Sequence, residues 1–177
     1  CLALKGDGGV MSTGPADEFP TTVAPRVELS VIDLDVPDAA SVLTALAERA
    51  EAAGWVRPTF LAALLERERA YPTGLPTAIP VAIPHADVEH VIAPGLGIAR
   101  LASPVDFGEM GAVDSVVAAR FVVLILVSKP HEQVELLTTL IGVFQHDGWF
   151  DRISAATSVD ELVTAFSDLL DDRAAAP

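Results

Sequence analysis

Seven consecutive residues, Phe121 to Val127 (FVVLILV), are apolar without interruption. A strand with one wet face alternates apolar and polar residues, so a run with no polar member reads as a strand covered on both faces. It is also too short for a membrane span, which takes about 20 residues in a helix. The run therefore calls for a central strand, and the rest of the chain must supply the layers that cover it.

The flanking sequence offers candidates. Val27 to Leu34 (VELSVIDL) alternates and reads as a first strand. Asp38 is placed to cap a helix in which Ala39, Val42, Leu43, Leu46 and Ala50 recur at helical spacing, and Gly54 ends it. Pro58 sits where a first helical turn tolerates it, and a second helix runs through FLAALLERERA. Pro72 and Gly74 then break the chain. Two strands are expected at Ile79 to Ile83 and Gly95 to Leu101, followed by a loop with two glycines after Phe107. Pro130 and His131 open a helix with Val134, Leu137, Leu140, Ile141 and Phe144 on one face. Ser158 with Glu161 three residues on has the pattern of a capping box. Strands interleaved with amphipathic helices imply one layered α/β domain over residues 26–173. Residues 1–25, rich in Gly, Pro, Ser, Thr and acids, read as a flexible N-terminal tail.

The formal net charge is -14, which argues against binding nucleic acid or an anionic membrane through a broad basic face. Any site for an anion must create its positive potential locally. The one cysteine, Cys1, leaves no disulfide within the chain, as expected of a reducing compartment. The first ten residues lack the apolar centre of a secretory signal.

Four histidines carry the remaining chemical options: His85, His90, His131 and His146. His85 and His90 have no HExxH or Cys/His pairing around them, so a metal site is disfavoured. No GxSxG elbow, GxGxxG or Walker motif is present, and no cofactor is expected. What remains is His85 at the exit of IPVAIP, His131 at a helix start, and Arg67 ahead of a Pro-Thr-Gly turn. A neutral imidazole is a nucleophile near pH 7, and phosphoryl transfer places charge on peripheral oxygens that an arginine fork or free backbone N–H groups can meet. The plainer reading makes Arg67 a solvated charge between Glu66 and Glu68, His131 an ordinary helix-start residue, His90 an exposed polar group and His146 a helix-end cation. Periodicity alone leaves both readings open.

LLERERAYPTGL, then VAIPHA, then a VLILV strand running into KPHEQVELLTTL, resembles the enzyme IIA components of the bacterial sugar phosphotransferase system. The likeness is to the mannitol/fructose class and covers Val27 to Leu170. Within the class, the Pro-Thr-Gly turn and a second histidine five residues after His85 resemble the galactitol-type branch. His131 departs from that branch, whose members can lack a histidine there, and matches mannitol-type members instead.

The resemblance implies a mixed β-sheet flanked by helices and a cytoplasmic phosphocarrier. His85 would accept the phosphoryl group, Arg67 would contact its oxygens and His131 would act as an auxiliary donor. Arg69 competes with Arg67, but the distance to Pro72 favours Arg67. The implied partners are the phosphocarrier HPr, a sugar-specific enzyme IIB with an acceptor cysteine and, indirectly, a membrane enzyme IIC. A regulatory nitrogen-type enzyme IIA and a non-catalytic module of the same fold are the alternatives. On this reading Pro84 stops the strand, so that His85 emerges at the sheet's edge.

Overall fold

The computed structural model describes residues 23–175. Five strands form one mixed sheet in the order β1-β4-β5-β3-β2. They are β1 (Val31–Leu34), β2 (Gly74–Leu75), β3 (Val81–Ala82), β4 (Gly95–Gly108) and β5 (Val116–Leu126). β1 runs parallel to β4, and β3 parallel to β5; the β4–β5 and β2–β3 pairs are antiparallel. The apolar run lies in β5, the middle strand, as its composition requires.

Alternation along β5 divides the core. Val122, Leu124 and Leu126 join one cluster with Leu46 and Ala50 of helix α1 (Ala39–Ala52) and Leu64 of α2 (Phe60–Ala70). Phe121, Val123 and Ile125 join another with Leu140 and Phe144 of α3 (Pro130–Phe144), Trp149 of α4 (Trp149–Ser154) and Phe166 of α5 (Val159–Ala174). The Phe121 ring lies 5.3 Å from Phe166 and 5.7 Å from Trp149, so aromatic packing fixes α4 and α5 on this face.

The caps follow the sequence. Asp38 accepts the Ser41 N–H at 2.8 Å, and Ser158 accepts that of Glu161. Pro130 occupies the first turn of α3.

Several expectations change. Val27–Leu29 forms a 3₁₀ turn, not the start of a strand. The Ser30 hydroxyl donates to the Arg26 carbonyl and accepts the Ile98 N–H, replacing ladder bonds, and Asp33 takes φ 52, which interrupts the register of β1. β4 and β5 extend well past their expected ends because they pair as one long ribbon around a turn at Gly111, φ +76. Val134 is 68% exposed and so lies off the buried face of α3. Residues 1–22 of the expected tail lie outside the described residues. Its last part, however, joins the sheet: Ala24 accepts the Leu96 N–H, and Pro25 forms a parallel bridge with Leu96. Among the described residues, no helix is long and apolar enough to cross a membrane.

Candidate active site

β3 is short, but the chain stays paired beyond it. The Pro84 carbonyl accepts the Ile125 N–H at 2.9 Å, and His85 forms a parallel bridge with Ile125. The expectation that His85 emerges at an edge is therefore corrected. It lies against the central strand and is 7% exposed. Proline lacks an N–H but keeps its carbonyl, so the ladder loses one donor at Pro84 and continues through the acceptor. Bridge partners project to the same face of a sheet, which puts His85 on the α3 side with Ile125.

The imidazole is held by one nitrogen. His85 Nδ1 lies 3.0 Å from the Ile83 carbonyl oxygen, which can only accept, so Nδ1 carries the proton of the neutral ring. Nε2 is then the basic nitrogen, and among the described residues it makes no hydrogen bond. Burial lowers the His85 pKa below its ordinary 6.5. The bond to Ile83 opposes that shift, the Arg67 charge adds to it, and Asp87 opposes it. The ring is thus kept neutral and nucleophilic at physiological pH.

Arg67 comes from the last turn of α2. Its Nη1 donates to Asp87 Oδ1 at 3.0 Å, and its guanidinium carbon lies 5.2 Å from the centre of the Tyr71 ring. The Nε–H is buried with no acceptor, an expensive state for a donor unless something arrives to meet it. Arg69 is exposed and lines a separate hollow with Leu65, Pro72 and Gly108. Two residues apart on a helix do not share a face, so only one of these arginines can serve His85.

His131 is the second residue of α3 and is exposed. The helix begins shortly after β5 ends, at the same end of the sheet as His85. Lys129, the N-cap, provides no side-chain acceptor; Pro130 has no N–H and the Glu132 N–H donates to the Lys129 carbonyl, so in the first turn it is the His131 N–H that is left for an anion. Among the described residues, the His131 ring has no hydrogen-bond or ion-pair partner.

The other two histidines are engaged elsewhere. His90 Nδ1 lies 2.9 Å from the Thr59 hydroxyl, and Nε2 lies 3.4 Å from Glu89 Oε1, which ties the segment after His85 to the start of α2. His146 Nδ1 donates to the Asp147 carbonyl beyond the far end of α3, about 20 Å from that helix's start at a rise of about 1.5 Å per residue. Among the described residues, no group of three or more His, Cys, Asp or Glu side chains could hold a metal ion.

Two components escaped sequence reasoning. Asp87 is one, its only signal being its place two residues after His85. The Ile83 carbonyl is the other, and a backbone group leaves no signature in residue identity.

Residues 26–168 match the family described as phosphoenolpyruvate-dependent sugar phosphotransferase system, EIIA 2. The chain belongs to this enzyme IIA family. It is 32% identical over 109 residues to the galactitol-specific EIIA component of Escherichia coli strain K12, spanning 61% of this chain and 72% of that protein. The fold is shared with enzyme IIA of mannitol from Escherichia coli, in its complex with phosphorylated enzyme IIB. There the TM-score is 0.66 at 26% identity, covering 85% of this chain and 99% of that one. Nitrogen regulatory protein IIA-Ntr from Neisseria meningitidis matches in fold alone, with a TM-score of 0.61 at 21% identity over 79% of this chain and 94% of that one. As an enzyme IIA, the protein has a phosphocarrier role in the sugar phosphotransferase system and, in general terms, phosphotransferase activity.

Proposed function

We propose that the protein accepts a phosphoryl group from phospho-HPr on Nε2 of His85 and passes it to a cysteine of a sugar-specific enzyme IIB. The observation that carries this reading is the engagement of His85 Nδ1 by the Ile83 carbonyl, which leaves Nε2 as the nucleophile. In the first step the Nε2–P bond forms as the donor's N–P bond breaks, and the donor leaves as neutral imidazole. Nδ1 keeps its proton throughout, so the positive charge developing on the ring rests against a carbonyl oxygen. In the second step a cysteine thiolate takes the phosphoryl group and His85 returns to its neutral form.

Arg67 meets the phosphoryl oxygens with its Nε and Nη2 edge, the side of the fork that Asp87 does not occupy. The His131 ring and its backbone N–H add donors from the start of α3. These groups supply the local positive field that a chain of net charge -14 needs. Low exposure of His85 suits the chemistry, because a site that excludes water strengthens each electrostatic contact and protects the phosphohistidine from hydrolysis.

The galactitol-specific relatives favour galactitol or a related polyol as the transported sugar. The partner enzyme IIB would deliver the phosphoryl group to substrate carried by a membrane enzyme IIC, with this protein acting in the cytoplasm. The test is to incubate the protein with phosphorylated HPr and map acid-labile phosphate. Labelling is expected on His85 alone; full labelling of a His85→Ala variant would refute the assignment.

A further inference from the structure

We propose that Glu68 is a positioning residue for phosphoryl acceptance, acting through Thr73 and Ile83 to fix the tautomer and orientation of His85. The proposal rests on the reading of His85 as the acceptor. Glu68 occupies an unfavourable place for a carboxylate. It sits in the last turn of α2, where the helix dipole disfavours negative charge, and burial raises its pKa above the ordinary value. Both oxygens are committed to one residue. Oε1 accepts the Thr73 N–H at 3.0 Å, and Oε2 accepts the Thr73 hydroxyl at 2.7 Å. Thr73 itself is 1% exposed.

From Thr73 the chain of bonds leads to the ring. The Thr73 carbonyl accepts the Ile83 N–H at 3.2 Å, and the Ile83 carbonyl accepts Nδ1–H of His85 at 3.0 Å. The ladder that would otherwise hold Ile83 is short. β2 and β3 pair through only Gly74 with Ala82 and Leu75 with Val81, so the Thr73–Ile83 rung is its unprotected end. On the other side Ala82 and Pro84, which flank Ile83, are both paired to β5, so the Ile83 peptide is least restrained toward β2, and loosening there would turn the one carbonyl that decides which nitrogen of His85 is free. The two-point grip of Glu68 on Thr73 closes that end. It also ties the rung to the helical turn that carries Arg67, so nucleophile and cation are set from one place.

The experiment reads tautomer and rate separately, on the full chain. Nitrogen NMR of the His85 ring should show a single Nδ1–H tautomer in the unaltered protein and a mixture in Glu68→Ala. Phosphoryl acceptance from phospho-HPr should slow about tenfold or more, because small misplacements of reacting groups are costly. Thr73→Val keeps the shape of the side chain, loses the hydroxyl, and should reproduce both effects. Thr73→Ser keeps the hydroxyl and should restore both. Should Glu68→Ala fail to fold, as judged by circular dichroism, the Thr73 pair carries the same test. A rate loss with the tautomer unchanged would overturn the proposal in favour of a purely structural role, and so would variants that leave both quantities unchanged. Absence of phosphate on His85 in the unaltered protein is a separate result, which removes the acceptor reading and this proposal with it.

Discussion

Replacing Arg67 by alanine separates a chemical role from a structural one, because the two predict effects of very different size. The structural loss is small. The ion pair joins a side chain that is 34% exposed to one that is 70% exposed, and such pairs contribute about 1 kcal/mol or less. The stacking on Tyr71, itself 68% exposed, adds about 0.5–1 kcal/mol. Removing the buried, unpartnered Nε–H returns part of that. The fold should therefore lose at most about 1–2 kcal/mol. Loss of a preorganised donor to a phosphoryl group costs about 2.7–4 kcal/mol in the transition state, or roughly 10²–10³ in rate.

The pH profile supplies a second readout. Burial is the main cause of the lowered His85 pKa, and the Arg67 charge adds to it while Asp87 opposes it. Alanine at 67 removes the repulsive cation and frees Asp87 from its partner, and both changes favour the protonated ring. The His85 pKa should rise, and the acid limb of the rate profile should move to higher pH, since only the neutral ring is a nucleophile. The measurements are stopped-flow transfer from phospho-HPr across pH, ring titration by NMR, and a denaturant melt of the same variant. Unchanged transfer kinetics with an unmoved acid limb would refute the reasoning and leave Arg67 a surface charge.

Two further outcomes follow from the same geometry. His131→Ala should still take up phosphate on His85 but pass it to enzyme IIB more slowly, by about 10²-fold for loss of one donor; transfer at the unaltered rate would make His131 a helix-start residue only, as in galactitol-type members that lack it. Gly74→Ala should destabilise the domain by about 1–3 kcal/mol, because a Cβ there would lie 2.5 Å from the Gly108 carbonyl oxygen and from Val117 Cγ2, where the β4–β5 ribbon folds over the Pro-Thr-Gly turn. A thermal melt checks it, at roughly 2–4 °C per kcal/mol for a chain of this size.

The fold was legible wherever side-chain pattern decides structure. β5 announced itself through an unbroken apolar run, α1 and α3 through periodicity joined to Asp38 and Pro130 at their starts, and α5 through the Ser158–Glu161 capping pattern. It was less legible where backbone pairing decides. Val116 to Ala119 alternate exposed and buried with only small or β-branched residues, so the long ribbon with β4 left little contrast to read. β2 is two residues long, and α4 is six, too few for either period to register. The VELS segment alternates like a strand, yet Ser30 and Asp33 bend it by local bonding and by a positive φ that no hydropathy pattern encodes.

The candidate site divides along the same line. His85, Arg67 and His131 were legible as residue types in a recognisable order, and each carries a side chain whose chemistry can be named in advance. What would make His85 a specific nucleophile lies in the main chain. Pro84 reads in sequence as a stop, yet its carbonyl keeps the extension paired to Ile125 and so carries His85 inward, not outward. The Ile83 carbonyl selects the tautomer, and it reaches the ring because Thr73 and Glu68 hold Ile83 from its N–H side. A proline that removes one donor while leaving its acceptor in place is thus what lets an apolar strand deliver a histidine with a defined free nitrogen. Sequence shows the histidine; the free nitrogen exists only once the strand has paired.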